Sequence, residues 1–258
     1  MQTDISFRVV IPARFQSTRF PGKPLKPICG KEMVLHVYEK AIQSDATEVV
    51  IATDDRRILQ VAEDAGAAVC LTSSAHETGT DRLVEVVAAR QWSDETIIVN
   101  VQGDEPLIPV DCVNQVATNL AENTDAVMAT LATGISDQHD YNDPNVVKVV
   151  FNLKGMAMYF SRSAIPHNRD REFSSDFKSF RHIGIYAYRA GYLRRYPKLN
   201  VSQLEHVEKL EQLRVIDNGD LIHVGIARQL PGPGVDTPEH LELVESIIAS
   251  ESAGQTDK

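Results

Sequence analysis

Six basic side chains, Arg8, Arg14, Arg19, Lys23, Lys26 and Lys31, follow one another without a single Asp or Glu between them. This is a local reversal, because the chain as a whole carries 36 acidic against 26 basic residues. The apolar run Val9-Val10-Ile11 leads directly into the loop that holds these charges. Donors that stay protonated are what a polyphosphate needs: Arg offers a rigid fork and Lys a compact point charge. Gly22 allows the backbone to approach a ligand, while Pro12, Pro21 and Pro24 stiffen the loop and reduce the entropy lost on binding. A run of like charge is also what an ordinary solvated surface shows. Its place at the end of the first strand favours the ligand, since open α/β sheets bind at the carboxyl ends of their strands. The phosphate fingerprints built on glycine are absent: no G-x-G-x-x-G follows the strand, and Gly22-Lys23 is followed by Pro24 rather than Ser or Thr.

A triphosphate site calls for Mg²⁺, which takes one or two carboxylates together with phosphate oxygens and water. Asp104 stands just past an apolar strand in a Gly-Asp turn, where it either points into a cleft or bonds its own backbone. Asp236 precedes Thr237-Pro238-Glu239, a helix start with Thr as cap and Pro at the first position. There it either reaches a metal or merely favours the helix dipole, and the two roles are compatible.

The elements that must position these groups read as a βαβ series. Strands are predicted over 7–11, 48–53, 68–71 and 96–101, alternating with helices over 33–44, 56–65, 80–89 and 110–123. The strands are rich in Val and Ile with little polar alternation, as in a parallel sheet covered on both faces. From 125 to 190 the pattern turns strand-rich (126–132, 146–151, 182–188) and reads as a smaller lobe over an acceptor site. A helix from Ser202, a strand over 221–227 and a helix from Pro238 return to α/β style, and residues 252–258 read as a frayed tail. The expected fold class is therefore α/β: a Rossmann-like domain over residues 1–251 with a mostly parallel sheet flanked by helices.

The pattern A-R-x-x-S-T-R-x-P-G-K-P-L from Ala13 to Leu25 resembles the opening loop of the sugar-activating cytidylyltransferases, in particular the 3-deoxy-manno-octulosonate (KDO) cytidylyltransferase family. Four further blocks match in the family's order: Asn100-Val101-Gln102-Gly103-Asp104-Glu105-Pro106, Arg181-His182-Ile183-Gly184-Ile185-Tyr186, the segment from Leu204 to Arg214, and Gly234-Val235-Asp236-Thr237-Pro238-Glu239. The resemblance implies a nucleotidyl transfer from CTP to a KDO-type sugar acid for lipopolysaccharide synthesis, with Mg²⁺ on Asp104 and Asp236 and a homodimeric assembly. Arg14, Arg19 and Lys23 would hold the triphosphate with help from Ser17, and Asp104 would act beside them. Main-chain groups around Pro12, Ala13 and Arg14, with Ser74, Gly79, Thr80 and Arg82, would bind the nucleoside. The acceptor contacts fall on Gln102, Arg162, Arg169, His182, Tyr186, Glu211 and Gln212. Read alone, Arg169 and Arg171 suit a solvated surface and His182 a satisfied core imidazole. Glu211 has support of its own, lying four residues after Val207 on the helix begun by the Ser202–Glu205 capping pattern, near its apolar stripe.

Two departures from the family stand out. Where relatives read D-H-x-S-G-T, this chain has Ala75-His76-Glu77-Thr78-Gly79-Thr80. Where they read I-P-W-D-R-D or I-P-Y-x-R-D, it has Ile165-Pro166-His167-Asn168-Arg169-Asp170, so a modified acceptor such as the 8-amino-8-deoxy sugar stays open. A cytidylyltransferase for another sugar acid, such as a sialic acid, would share the loop but lack the blocks at 181–186 and 204–214. A non-catalytic nucleotide sensor would have no use for the metal pair.

Composition narrows the remaining classes. A net charge of −10 disfavours nucleic acid as a partner, and no apolar run approaches the roughly 20 residues that span a bilayer, so a cytoplasmic protein is expected. Cys29, Cys70 and Cys112 are widely spaced, without a C-x-x-C pair or a disulfide rhythm, and read as core fillers.

Overall fold

The computed structural model describes residues 5–16, 20–76, 78–169 and 178–255, with side chains to residue 251. In chain order the elements are β1 (Phe7–Ala13), a 3₁₀ turn (Lys23–Leu25), β2 (Pro27–Ile28), β3 (Lys31–Glu32), α1 (Met33–Ile42), β4 (Glu48–Thr53), α2 (Arg56–Asp64), β5 (Ala68–Leu71), α3 (Gly79–Ala89), β6 (Ile97–Asn100) and α4 (Val110–Glu122). Then come β7 (Met128–Gly134), α5 (Gln138–Asn142), β8 (Lys148–Phe151), β9 (Ala157–Ser161), β10 (Phe180–Arg189), α6 (Ala190–Arg195), α7 (Gln203–Glu208), α8 (Gln212–Asp217), β11 (Ile222–Ile226) and α9 (Pro238–Gln255).

The main sheet runs β11-β7-β10-β6-β1-β4-β5. Every neighbouring pair is parallel except those made by β10, which lies antiparallel to both β6 and β7. The Val/Ile runs of β1, β4 and β6 are buried on both faces, as their lack of alternation predicts. Val9, Ile11, Ile51 and Val99 meet Val34 and Val37 of α1, Ile58 of α2 and Val113 and Val116 of α4. Val10, Val50 and Ile98 meet Leu83, Val86 and Val87 of α3 and Leu193 of α6. The stretch read from sequence as a smaller lobe contributes β7 and β10 to the middle of this sheet, and the β8–β9 hairpin branches off it, through β10.

Local chemistry sets the element ends. Asp55 caps α2 through the Arg57 N–H at 2.9 Å, and Thr78 and Asp81 form a reciprocal capping box at α3. Ser202 caps α7 by accepting from the Glu205 N–H at 3.2 Å. The helix expected to run on from there breaks instead. Lys209 adopts a left-handed conformation with φ 55°, and α8 restarts with Glu211 at its N-cap. A bidentate Arg214–Glu205 pair at 2.6 and 2.7 Å ties the two short helices together across the break. At the far end the helix from Pro238 continues to Gln255, past the point where a tail was expected. Among the described residues no helix is long and apolar enough to cross a membrane.

Candidate active site

The carboxyl ends of β1 and β6 deliver the two loops that build the site. Beyond Ala13 the chain turns through Phe15 and closes on itself where the Gly22 N–H donates to the Phe15 carbonyl at 2.8 Å. Gly22 sits at φ 71°, and a Cβ there would meet the Phe15 ring at 3.0 Å, so this position requires glycine. The 3₁₀ turn that follows starts at Lys23 and aims its side chain back toward the sheet. After β6, Gly103 passes so close to β1 that a Cβ would lie 2.7 Å from the Pro12 carbonyl oxygen. That contact fixes Asp104 beside the loop that carries Lys23.

Asp104 and Asp236 come together from residues 132 positions apart in sequence (236 minus 104). The backbone holds them there, because the Val235 N–H donates to the Asp104 carbonyl at 2.8 Å. Between the two carboxylates lies the Lys23 ammonium. It donates to Asp104 Oδ2, to Asp236 Oδ1 at 3.3 Å and to the Val235 carbonyl at 3.1 Å. All three of its protons are thereby engaged. Thr237 caps α9 through the His240 N–H at 3.4 Å, as its sequence predicts, and this leaves Asp236 just outside the helix.

Two cavities meet at this point. The smaller, of about 300 Å³, is lined by Pro12, Ala13, Arg14, Lys23 and Gly79. The larger, of about 500 Å³, is lined by Thr80, Arg162, His182, Tyr186, Glu211 and Gln212. Arg14, Gly79, Gln102, Asp104 and Asp236 border both. Most of the residues assigned from sequence are thus collected in one cleft, with the basic loop on one side and the acceptor candidates on the other.

Several candidates lie elsewhere. Ser17 and Arg19 fall outside the described residues. Ser74 is exposed on a turn, and Arg169 is exposed on the segment after β9, neither bordering the two cavities. Arg82 has its own place in the fold. It has no solvent exposure, and its guanidinium donates to Thr72 at the end of β5 and to Asp54 Oδ2 after β4 at 3.1 Å. It clamps the start of α3 to the sheet. Removing one partner of a buried pair strands the other charge, so Arg82→Met is expected to lower the free energy of unfolding by about 3 kcal/mol, read by urea denaturation. A loss below about 1 kcal/mol would mean that Asp54 is solvated enough to stand alone.

Glu211 reaches the cleft by a route other than the one its spacing suggested. With the helix broken at Lys209, the interval from Val207 no longer places it on a stripe; the restart of α8 turns it inward. Burial pushes its carboxyl pKa upward, while a bond from Thr80 Oγ1 to Glu211 Oε2 at 2.8 Å pulls it back. Next to it, Gln212 is 4 % exposed and its Nε2 has no hydrogen-bond partner among the described residues. A buried amide donor without a partner is costly, and one that borders a cavity marks where a ligand acceptor belongs.

His182 is a hydrogen-bonded imidazole, as its place at the start of a strand suggests, and it borders the cleft. Its Nε2 lies 3.0 Å from Thr130 Oγ1, whose single proton is claimed by the Ile183 and Ile185 carbonyls. Nε2 must therefore carry the hydrogen. Burial first, then the adjacent Arg181, push its pKa down to about 3, so the ring is neutral at physiological pH. Arg162 is anchored through Nε to the Glu208 carbonyl at 2.8 Å. Beneath it the fully buried Lys148 donates to the Arg162, Asp143 and Val146 carbonyls, spending its charge on the backbone of this wall.

Sequence reasoning passed over Glu105. It follows Asp104 directly, and a Cβ on Gly234 would meet its Oε1 at 2.8 Å. Burial, and then the charges of Asp104 and Asp236, push its pKa up to about 8. The available signal was three acids, Asp104, Glu105 and Asp236, in two blocks that both serve one site. Asp104 and Asp236 disfavour the charge on Glu105, and Arg181 and Lys23 offset that only in part.

The sequence profile of the cytidylyltransferase family matches residues 8–222. A 3-deoxy-manno-octulosonate cytidylyltransferase of Vibrio vulnificus (strain YJ016) is 53 % identical over 252 residues, covering 96 % of this chain and 100 % of that protein. The chain belongs to the 3-deoxy-manno-octulosonate cytidylyltransferase family. The enzyme of that name from Pseudoalteromonas atlantica is 50 % identical over 246 residues, spanning 93 % of this chain and 97 % of its own length. Among solved structures, CMP:2-keto-3-deoxy-manno-octonic acid synthetase complexed with CTP superposes with a TM-score of 0.88 at 42 % identity, over 95 % of this chain and 99 % of that one. A Leptospira borgpetersenii cytidylyltransferase, 16 % identical with a TM-score of 0.61, shares the fold.

Proposed function

We propose that this chain transfers the cytidylyl group of CTP to KDO, the anomeric hydroxyl on C2 attacking the α-phosphorus in line to give CMP-KDO and pyrophosphate. The observation that carries this reading is the junction of the two cavities at Arg14, Gln102, Asp104 and Asp236. Arg14 and Lys23 would grip the phosphates from the basic loop. Arg162, Tyr186, Glu211 and Gln212 would hold the sugar acid opposite. Positioning and charge neutralisation are then the main contributions to rate. His182, neutral and fixed by Thr130, serves as an orienting wall rather than a base.

Asp104 and Asp236 fit a hard divalent cation, since both place carboxylate oxygens around a point that already attracts an ammonium ion. They would hold Mg²⁺, which when bound would supply charge neutralisation at the α-phosphate and a lower pKa for the attacking hydroxyl. We place the enzyme in the cytoplasm, where nucleoside triphosphates are available, and propose a homodimer. Support for pairing comes from Leu153 and Met158, apolar and exposed on and beside the β8–β9 hairpin. Light scattering checks it.

The test is pyrophosphate release with CTP and Mg²⁺, run in parallel on KDO, 8-amino-8-deoxy-KDO and a sialic acid. KDO is expected to turn over at least roughly a hundredfold faster than the sialic acid, the discrimination that polar recognition supplies. Release with the amino sugar alone would reassign the acceptor through the His167-Asn168 departure. Silence with all three would overturn the reading.

A further inference from the structure

We propose that Thr80 is a positioning residue for the acceptor sugar, its hydroxyl aiming the Glu211 carboxylate into the larger cavity, rather than a contact for the nucleotide. The two residues lie 131 positions apart, and the bond between them, Thr80 Oγ1 to Glu211 Oε2 at 2.8 Å, is a direct link between the nucleotide-side helix α3 and the acceptor-side break between α7 and α8. Thr80 borders the larger cavity and not the smaller, whereas its neighbour Gly79 borders both. This inference rests on the reading that Glu211 contacts the acceptor.

Thr80 is well built for such a task. It is 5 % exposed, in the first turn of a helix whose backbone is fixed on either side of it by the Thr78–Asp81 capping box and by the buried Arg82 clamp. A β-branched side chain on a helix has few rotamers to lose, so the hydroxyl is presented at little entropic cost. Its acceptor sits on the less regular side, where the chain pivots through the left-handed Lys209. The rigid partner therefore orients the pliable one. A carboxylate accepts through both oxygens, and Thr80 uses only Oε2, leaving acceptor capacity for a sugar hydroxyl. A nucleotide contact that drew on the Thr80 proton would leave a mostly buried carboxylate without its donor.

The test compares Thr80→Val, Thr80→Ser and Glu211→Gln in steady-state assays with CTP and KDO. Thr80→Val keeps the shape and removes the donor, and a hydrogen bond to a charged group at this strength corresponds to roughly a tenfold rise in the KM for KDO. The KM for CTP is expected to stay within about twofold, and Thr80→Ser to restore the KDO value. The acid limb of kcat/KM for KDO should move to higher pH in Thr80→Val, because the bond lost is one that favours the ionised carboxylate. Thr80→Ala should show the same split if the valine variant folds poorly. A rise in the KM for CTP with KDO unaffected would overturn the proposal. So would an unchanged KDO response in Thr80→Val while Glu211→Gln raises it. An unchanged KM for KDO in Glu211→Gln would instead remove the underlying assignment of Glu211.

Discussion

Lys23→Ala should lower kcat/KM for CTP by about a thousandfold, while the protein keeps its fold. Removing one preorganised charge that faces a developing anion commonly costs 10² to 10³ in rate, about 3–4 kcal/mol. Lys23 belongs at the upper end because it contacts both carboxylates that flank the junction of the cavities. The same geometry gives a second, opposite readout. With Asp104, Asp236 and the Val235 carbonyl taking all three of its protons, Lys23 competes for the two carboxylates proposed to hold the divalent cation. It can grip a phosphate only by releasing some of these partners. In the absence of nucleotide, Mn²⁺ should therefore bind Lys23→Ala about tenfold more tightly than the unaltered protein, titrated by electron paramagnetic resonance. In the presence of CTP the order should reverse. A mild kinetic effect, or a Mn²⁺ affinity that falls without nucleotide, would mean that the lysine neither holds phosphate nor neutralises the pair.

The sheet and the cleft were legible in the sequence for a physical reason. The Val/Ile run of β4, the short apolar run of β5 and the amphipathic spacing of α3 are local signals, and their limits match the structure to within a residue. The residues at the strand ends, Arg14, Gln102 and Asp104, then had few places to go. What escaped were features decided by tertiary contact. The break at Lys209 leaves no trace in a segment that reads as one helix, because it is settled by the Arg214–Glu205 pair and by Glu208 reaching Ser161 Oγ at 2.6 Å. Arg82 looks from sequence like one more cation near a nucleotide loop, and only its burial between Asp54 and Thr72 shows that its charge is spent inside. The antiparallel course of β10 through a parallel sheet, with a bulge between Ile183 and Tyr186, likewise depends on its neighbours. Glu105 was overlooked since nothing in a single Gly-Asp-Glu-Pro turn tells which of two adjacent acids keeps its proton.

That division of labour between neighbouring acids is where Asp104→Asn should act. Turnover is expected to fall about a thousandfold, as for loss of a first-rank electrostatic group, because one of the two carboxylates proposed to hold the cation is gone. The variant should also carry a signature in stability. Glu105 is held well above an ordinary carboxyl, first by burial and then by the charges of Asp104 and Asp236. A carboxyl whose pKa is raised on folding binds more protons folded than unfolded over the interval between its two values. Stability therefore declines as pH rises from about 4.5 toward about 8. Neutralising Asp104 removes the second cause, so the folded pKa of Glu105 drops and that interval narrows. Urea denaturation of the metal-free protein should show a decline between pH 5 and 8 that is shallower in Asp104→Asn than in the unaltered chain. If the two pH profiles run parallel, burial alone sets the Glu105 proton and the three acids are not electrostatically one unit. If turnover is also retained, Asp104 is the turn residue that its Gly-Asp setting would by itself suggest.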